Sequence, residues 1–336
     1  MTGVLSRTAI RAIIAFLVFQ VVGVLVFGID AFFQTEVIGL SNGLIFALVA
    51  LGYTLVYGII ELINFAHGDV FMLGSMAAFL LIGPIFDLTG DTPVLLKIGV
   101  ILLVLGVVML GTAALNVSIE RIAYKPLRNA PKLAPLISAI GVSFVLQNVA
   151  LLLAGPGNKS IDNIFGTYNV LSGLGINGVT INIQQLFVAV VTVPLLLILS
   201  WFVSKTRQGK AMRATAMDPD TAGLMGVNVD RTIAITFLIA GALAGAAGVV
   251  QILYNNTTVW TLGFRFGLNS FTAAVLGGIG NLQGAVLGAI VLGFINAFSD
   301  RYFSANWTNA IVFGVLIAIL VFRPTGLLGQ QLADRA

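Results

Sequence analysis

Glu61 to Asp69, ELINFAHGD, brings the chain's single histidine together with two carboxylates and an asparagine. Residues of these types can ligate a metal or move protons. One imidazole with carboxylates alone falls short of the usual zinc sets, however, and no serine or cysteine nucleophile is paired with His67. The sequence has no cysteine, which excludes a disulfide framework, thiol catalysis and Cys-based metal centres. No metal or cofactor is expected. A second polar interruption, Gly277, Gly278, Gly280, Asn281 and Gln283, breaks an otherwise apolar run. Neutral hydrogen-bonding groups such as Asn64, Gln147, Asn281 and Gln283, with His67, suit the passage of a small polar solute better than its covalent conversion. The plainer reading of Glu61 to Asp69 is a capped turn, with Gly68 allowing a tight bend and His67 bonded to backbone.

The frame around these groups is apolar. Of the 336 residues 58% are hydrophobic and 9% charged, with a mean hydropathy of +1.05, which is more apolar surface than one water-facing core can bury. Charge-free runs recur along the chain, long enough for the roughly 20 residues a helix needs to cross a hydrocarbon core about 30 Å thick. The 38 glycines suit membrane helices whose backbones approach through small residues. An all-α, polytopic integral membrane protein is expected, with lipid as its solvent. The pI near 9.5 does not indicate a nucleic-acid partner, because the 17 basic residues are spread over short loops.

Long spans are expected at 12–29, 37–60, 70–86, 98–119, 133–153, 187–203, 232–254 and 307–322. Phe266 to Ser299 is charge-free but too long for one crossing. It reads as a short element, Leu268 to Leu276, then the glycine-rich break, then a span from Ala285 to Phe298. About 8–10 transmembrane helices result. The basic-then-apolar start resembles a signal peptide, but no Ala-x-Ala-like cleavage site follows Gly28, so 12–29 is taken as a first span. Residues 155–182 read as an ordered external loop, with a β-like run from Val179 to Ile183. With both termini cytoplasmic, all of the 17 basic residues except Lys97, Lys159, Arg265 and Arg301 fall on the cytoplasmic side, the bias that sets membrane topology. No carboxylate or arginine is expected within a span away from its ends.

The cytoplasmic loop 205–231 has a character of its own. Its basic first half gives way to Asp218, Pro219 and Asp220. Asp218 is a good N-cap and Pro219 a good first-turn residue, so a short helix from Pro219 to about Met225, ended by Gly226, is expected. A short surface helix with an apolar face fits a groove on a partner protein. The same segment could instead lie on anionic headgroups.

Four segments then carry a family resemblance: Gly39 to Ala78 (GLSNGLIFALVALGYTLVYGIIELINFAHGDVFMLGSMAA), Glu120 to Gly155 (ERIAYKPLRNAPKLAPLISAIGVSFVLQNVALLLAG), Gly209 to Val227 (GKAMRATAMDPDTAGLMGV) and Gly277 to Gly293 (GGIGNLQGAVLGAIVLG). In this order, and over nearly the whole chain, they resemble the permease subunit of the branched-chain amino-acid ABC importers. The resemblance implies a single transmembrane permease domain over 1–336 in a bacterial or archaeal cytoplasmic membrane. It implies as partners a second permease subunit, two cytoplasmic ATPase subunits, an extracytoplasmic substrate-binding protein and membrane lipid. Asp220, Thr221, Ala222 and Gly226 resemble the Glu-Ala-Ala, three residues, Gly coupling loop by which such permeases grip their ATPases, with Asp in place of Glu and Thr in place of Ala. No Gly-x4-Gly-Lys-Ser/Thr occurs, since 155–160 reads GPGNKS without a glycine before the lysine. ATP is then hydrolysed on another chain, and this one is a transport subunit rather than an enzyme. The implied cargo is branched-chain or related amino acids. The competing readings are an ion-coupled secondary transporter, an ABC permease for urea or short amides, and a passive channel.

Overall fold

The computed structural model describes residues 20–329 except 129, 132, 167, 171–177 and 324. Its framework is helical: α1 (Ile29–Ile60), α2 (His67–Leu80), α3 (Val94–Ile119), α4 (Leu133–Ala154), α5 (Ile183–Lys205), α6 (Arg207–Met217), α7 (Pro219–Leu224), α8 (Val229–Asn255), α9 (Leu262–Gly277), α10 (Leu282–Tyr302) and α11 (Ala305–Phe322). α2 runs on through a π-helical turn, Leu81–Ile85, and α3 through Glu120–Tyr124 and Lys125–Leu127. Among the described residues 8 helices are long and apolar enough to cross a membrane; α6, α7 and α9 are not among them.

Most of the expected span 12–29 lies outside the described residues. Residues 20–27 are helical and stop at Gly28, whose φ of 81° only glycine adopts freely. α1 then begins at Ile29 rather than Val37. Asp30 and Glu36, which lie between the expected spans 12–29 and 37–60, are inside one 32-residue helix, with Asp30 in the first turn where a negative charge favours the helix dipole. At 1.5 Å per residue α1 is about 48 Å long, so it must tilt or extend past the hydrocarbon layer. α9 likewise begins at Leu262, before the expected Leu268. The expected β-like run fails: Asn182 makes a single bridge to Asn169 and then caps α5 in a reciprocal pair with Gln185. The strands that form are β1 (Lys159–Ser160) and β2 (Thr257–Thr258), an antiparallel pair tying the loop after α4 to the loop after α8.

The helices sort into a centre and a periphery. The apolar stretch of α1 is 83% buried and that of α8 72%, against 17% for α3 and for α5 and 11% for α11. An apolar helix buried on all sides belongs in the middle, and an apolar helix left exposed belongs against lipid or a partner subunit. Small residues let the central helices touch. A Cβ at Gly293 of α10 would lie 2.3 Å from the Gly39 carbonyl oxygen of α1, and one at Gly248 of α8 would lie 2.5 Å from the Ser75 amide nitrogen of α2. α3 meets α8 at Gly241 and Gly245, where the buried Asn116 Nδ2 donates to the Phe237 carbonyl at 2.6 Å.

The two ends of the bundle differ. At one, Lys125 pairs with Asp230 at 2.8 Å, and Arg128 bridges Asp230 and Glu120, so the basic loop after α3 sits beside 205–231. At the other lie β1 and β2 with the described parts of 155–182.

Candidate functional site

α1 ends at Ile60 with Glu61 in the left-handed region (φ 52°), and α2 starts at His67. The histidine is fully buried, its ring edge-on to Tyr53 with centroids 4.9 Å apart. It fits because residue 52 is glycine: a Cβ there would sit 2.1 Å from His67 Nε2. Asn64, also buried, accepts from the Tyr124 hydroxyl at 3.1 Å. Asp69 is not in the turn but in the first turn of α2, where it accepts from the Ser143 hydroxyl of α4; Gln147 Nε2 donates to that same hydroxyl at 3.2 Å. Asn64 thus ties the turn before α2 to Tyr124 after α3, Gln147 supports the Ser143 hydroxyl that joins α4 to α2, and His67 packs against Tyr53 and Gly52 of α1.

Two carboxylates are more deeply placed than the spans suggested: Asp69 and Glu120 are each 1% exposed. A buried charge is tolerated only when paired or hydrogen-bonded. Arg128 answers Glu120 and the Ser143 hydroxyl answers Asp69. Among the described residues no three His, Asp or Glu side chains converge as metal ligands.

The second break is a cap and a clamp. Asn281 Oδ1 accepts from the Gln283 and Gly284 amides at 3.0 and 3.1 Å, capping α10, while its Nδ2 donates to the Leu328 carbonyl at 2.8 Å. The Leu327 and Leu328 amides in turn reach the carbonyls of Leu276 and Gly277. The glycines here make room for a second backbone, since a Cβ at Gly278 would lie 2.5 Å from the Gly329 nitrogen. Asn281, one of the two residues here expected on a polar path, holds the chain that follows α11, and Gln283 stands in the first turn of α10 with its amide on Asn281.

A polar cavity of about 320 Å³ lies at the β1–β2 end, opposite 205–231. α1 contributes Asn42 and Phe46, α8 Gln251 and Asn255, α9 Arg265 and Asn269, and α10 Asn296 and Asp300. Each pair is spaced i, i+4, which places both members on one helix face. That spacing was the signal available in the sequence. Hydropathy alone does not reveal it, because these are mostly neutral amides inside apolar runs, and Arg265 and Asp300 merely flank the charge-free stretch from Phe266 to Ser299. None of Asn64, His67, Gln147, Asn281 and Gln283 borders this cavity. Beneath it the aromatic rings close up: Phe46 to Phe266 at 5.4 Å, Phe266 to Phe71 at 5.2 Å, and Tyr53 to Phe271 at 5.9 Å.

At the other end Asp218 caps α7, accepting from the Asp220 and Thr221 amides at 3.0 and 3.1 Å, with Pro219 in the first turn. Gly226 has φ 86°. Asp220 and Thr221 are exposed, whereas Ala222 is buried against the protein's own helices. The outer apolar surface of the loop is Leu224 and Met225, 88% and 82% exposed, which sequence reading did not single out.

These features define a polytopic membrane protein with a solute-sized polar cavity at one end and a helical loop at the other. The family described as branched-chain amino acid transport system, permease component, matches residues 37–321, and this chain belongs to it. It is 42% identical over 304 residues to the high-affinity branched-chain amino acid transport system permease protein BraD of Pseudomonas aeruginosa, covering 90% of this chain and 98% of that one. It is 40% identical over 306 residues to LivH of Escherichia coli K12, covering 90% and 97%. A probable LivH of Methanocaldococcus jannaschii is 30% identical over 297 residues, covering 84% and 88%. No solved structure matches the chain.

Proposed function

We propose that this chain is the membrane-spanning subunit of an ATP-driven importer of branched-chain or related amino acids, with 205–231 on the cytoplasmic side and the cavity facing out. Family membership supports the class. The observation that carries the mechanism is the placement of the polar cavity at the end opposite the exposed, capped helix α7. A second permease, two cytoplasmic ATPases and an extracytoplasmic binding protein complete the assembly, and this chain contributes no ATP site.

The binding protein delivers its cargo to the cavity mouth. Phe46, Phe266 and Phe71, packed ring against ring, with Tyr53 and Phe271 below, block the way inward. ATPase closure pushes on α6 and α7. Because α6 packs against α1, α5 and α8, that force reaches the central helices and shifts them between outward and inward openings. Asp220, Thr221 and Gly226 shape the loop that is gripped, while the buried Ala222 anchors it to the permease body. An ion-coupled carrier would suit the buried Asp69, but that carboxylate is hydrogen-bonded to Ser143 and does not border the cavity. The test is co-purification: the tagged chain, extracted in mild detergent from its own membranes, should retain ATPase subunits, and a chain recovered without any nucleotide-binding partner would refute the assignment.

A further inference from the structure

The cavity is more discriminating than a polar path requires. Arg265 and Asp300 stand at its rim, one basic and one acidic, and among the described residues neither takes part in an ion pair. The Thr308 hydroxyl donates to Asp300 Oδ1 and so orients that carboxylate. One helical turn further in lie Asn269 and Asn296, 5% and 7% exposed. Both line the cavity, so almost all of the little surface they keep is turned toward it. The wall beneath is apolar, made by Phe46 and Phe266. At about 320 Å³ the space is at the small end of ligand sites, the size for one small metabolite.

A cation, an anion, buried amides and an aromatic wall are the complements of a carboxylate, an ammonium and an aliphatic side chain. A sugar would answer neither charge, and urea or a short amide would leave both unmet. We infer that the cavity is a binding site for a zwitterionic amino acid within the permease itself, Arg265 taking the carboxylate, Asp300 the ammonium, and Phe46 with Phe266 the side chain. The inference rests on the proposed function for the class of cargo. It adds that the permease selects both charged ends of that cargo, and not the binding protein alone. Charge-assisted bonds are stronger and more directional than neutral ones, and arginine grips a carboxylate with two parallel bonds.

The test uses the full-length chain in lipid nanodiscs and three probes: leucine, isoamylamine (leucine without its carboxylate) and 4-methylvalerate (leucine without its ammonium). The unaltered chain should bind leucine at least about tenfold more tightly than either analogue. Arg265→Gln should lose the preference over the amine and keep that over the acid, and Asp300→Asn should do the reverse. Each preference is a ratio within one protein, so poor folding of a variant does not mimic the result. This crossed pattern supports the site. Any other pattern overturns it, including no leucine binding by the unaltered chain or loss of both preferences in one variant. Leucine uptake by the assembled transporter is measured separately. Uptake without the crossed pattern sinks the site alone, and absence of uptake sinks the cargo assignment.

Discussion

Replacing Gly293 by alanine adds one carbon where α10 meets α1. That carbon would lie 2.3 Å from the Gly39 carbonyl oxygen, 2.4 Å from the Gly43 nitrogen and 2.5 Å from the Gly43 Cα, where ordinary contact begins at 3.4 Å. All three are backbone atoms of one helix, so no side chain can swing aside and the helices must part by about 1 Å. A gap of that size forfeits a quarter to a half of the dispersion energy of each contact along the seam. Overpacking in tight interiors costs about 1–3 kcal/mol. Alanine returns up to about 1 kcal/mol of helix propensity, leaving a net loss of about 0–2 kcal/mol and a deficit of about 1–3 kcal/mol against a variant that has the propensity gain alone. Gly106 of α3 is the control, since a Cβ there meets nothing within 4 Å. Gly106→Ala keeps the propensity gain without the clash and should be neutral or slightly stabilising. Thermal unfolding of the two purified variants in the same detergent gives the comparison. A Gly293→Ala protein as stable as Gly106→Ala would refute the claim that the central helices are held by backbone contact.

Gly226→Leu should weaken ATPase association and uptake while membrane insertion stays intact, because φ 86° is strained for leucine and the loop lies outside the bundle; co-purified ATPase per permease is the readout. Asn281→Ala removes the α10 cap, at a cost of about 1 kcal/mol. It also frees the Leu328 carbonyl, so the chain after α11 should become sensitive to limited proteolysis while the cavity's leucine preference persists. Single cysteines introduced at Lys125 and Lys210 should resist an impermeant reagent on intact cells, and one at Lys159 should react, as the charge bias requires.

The apolar runs gave away the crossings because a membrane helix must satisfy its own backbone over a fixed length, and that demand is written in composition. Their ends were harder to see. Asp30, Glu36 and Arg265 stand just outside the charge-free runs, yet a charged residue near the end of a long helix can sit in the headgroup layer or face a cavity without ending the helix. The α7 cap was legible because Asp218 and Pro219 act locally. The cavity was not: Asn42, Gln251, Asn269 and Asn296 lie far apart in sequence and acquire meaning only when four helices meet. Asn281 drew notice as a polar residue in an apolar run, but its partner is the Leu328 carbonyl, a pairing that only the fold brings together.

In the proposed function cargo moves through this chain on energy supplied by ATPases docked at 205–231. The most direct measurement is leucine accumulation in proteoliposomes containing the chain with its partner permease and ATPases, with the binding protein added outside. Accumulation should need ATP and the binding protein and continue when ion gradients are collapsed. Accumulation that follows an ion gradient in the absence of ATP would contradict the proposed function.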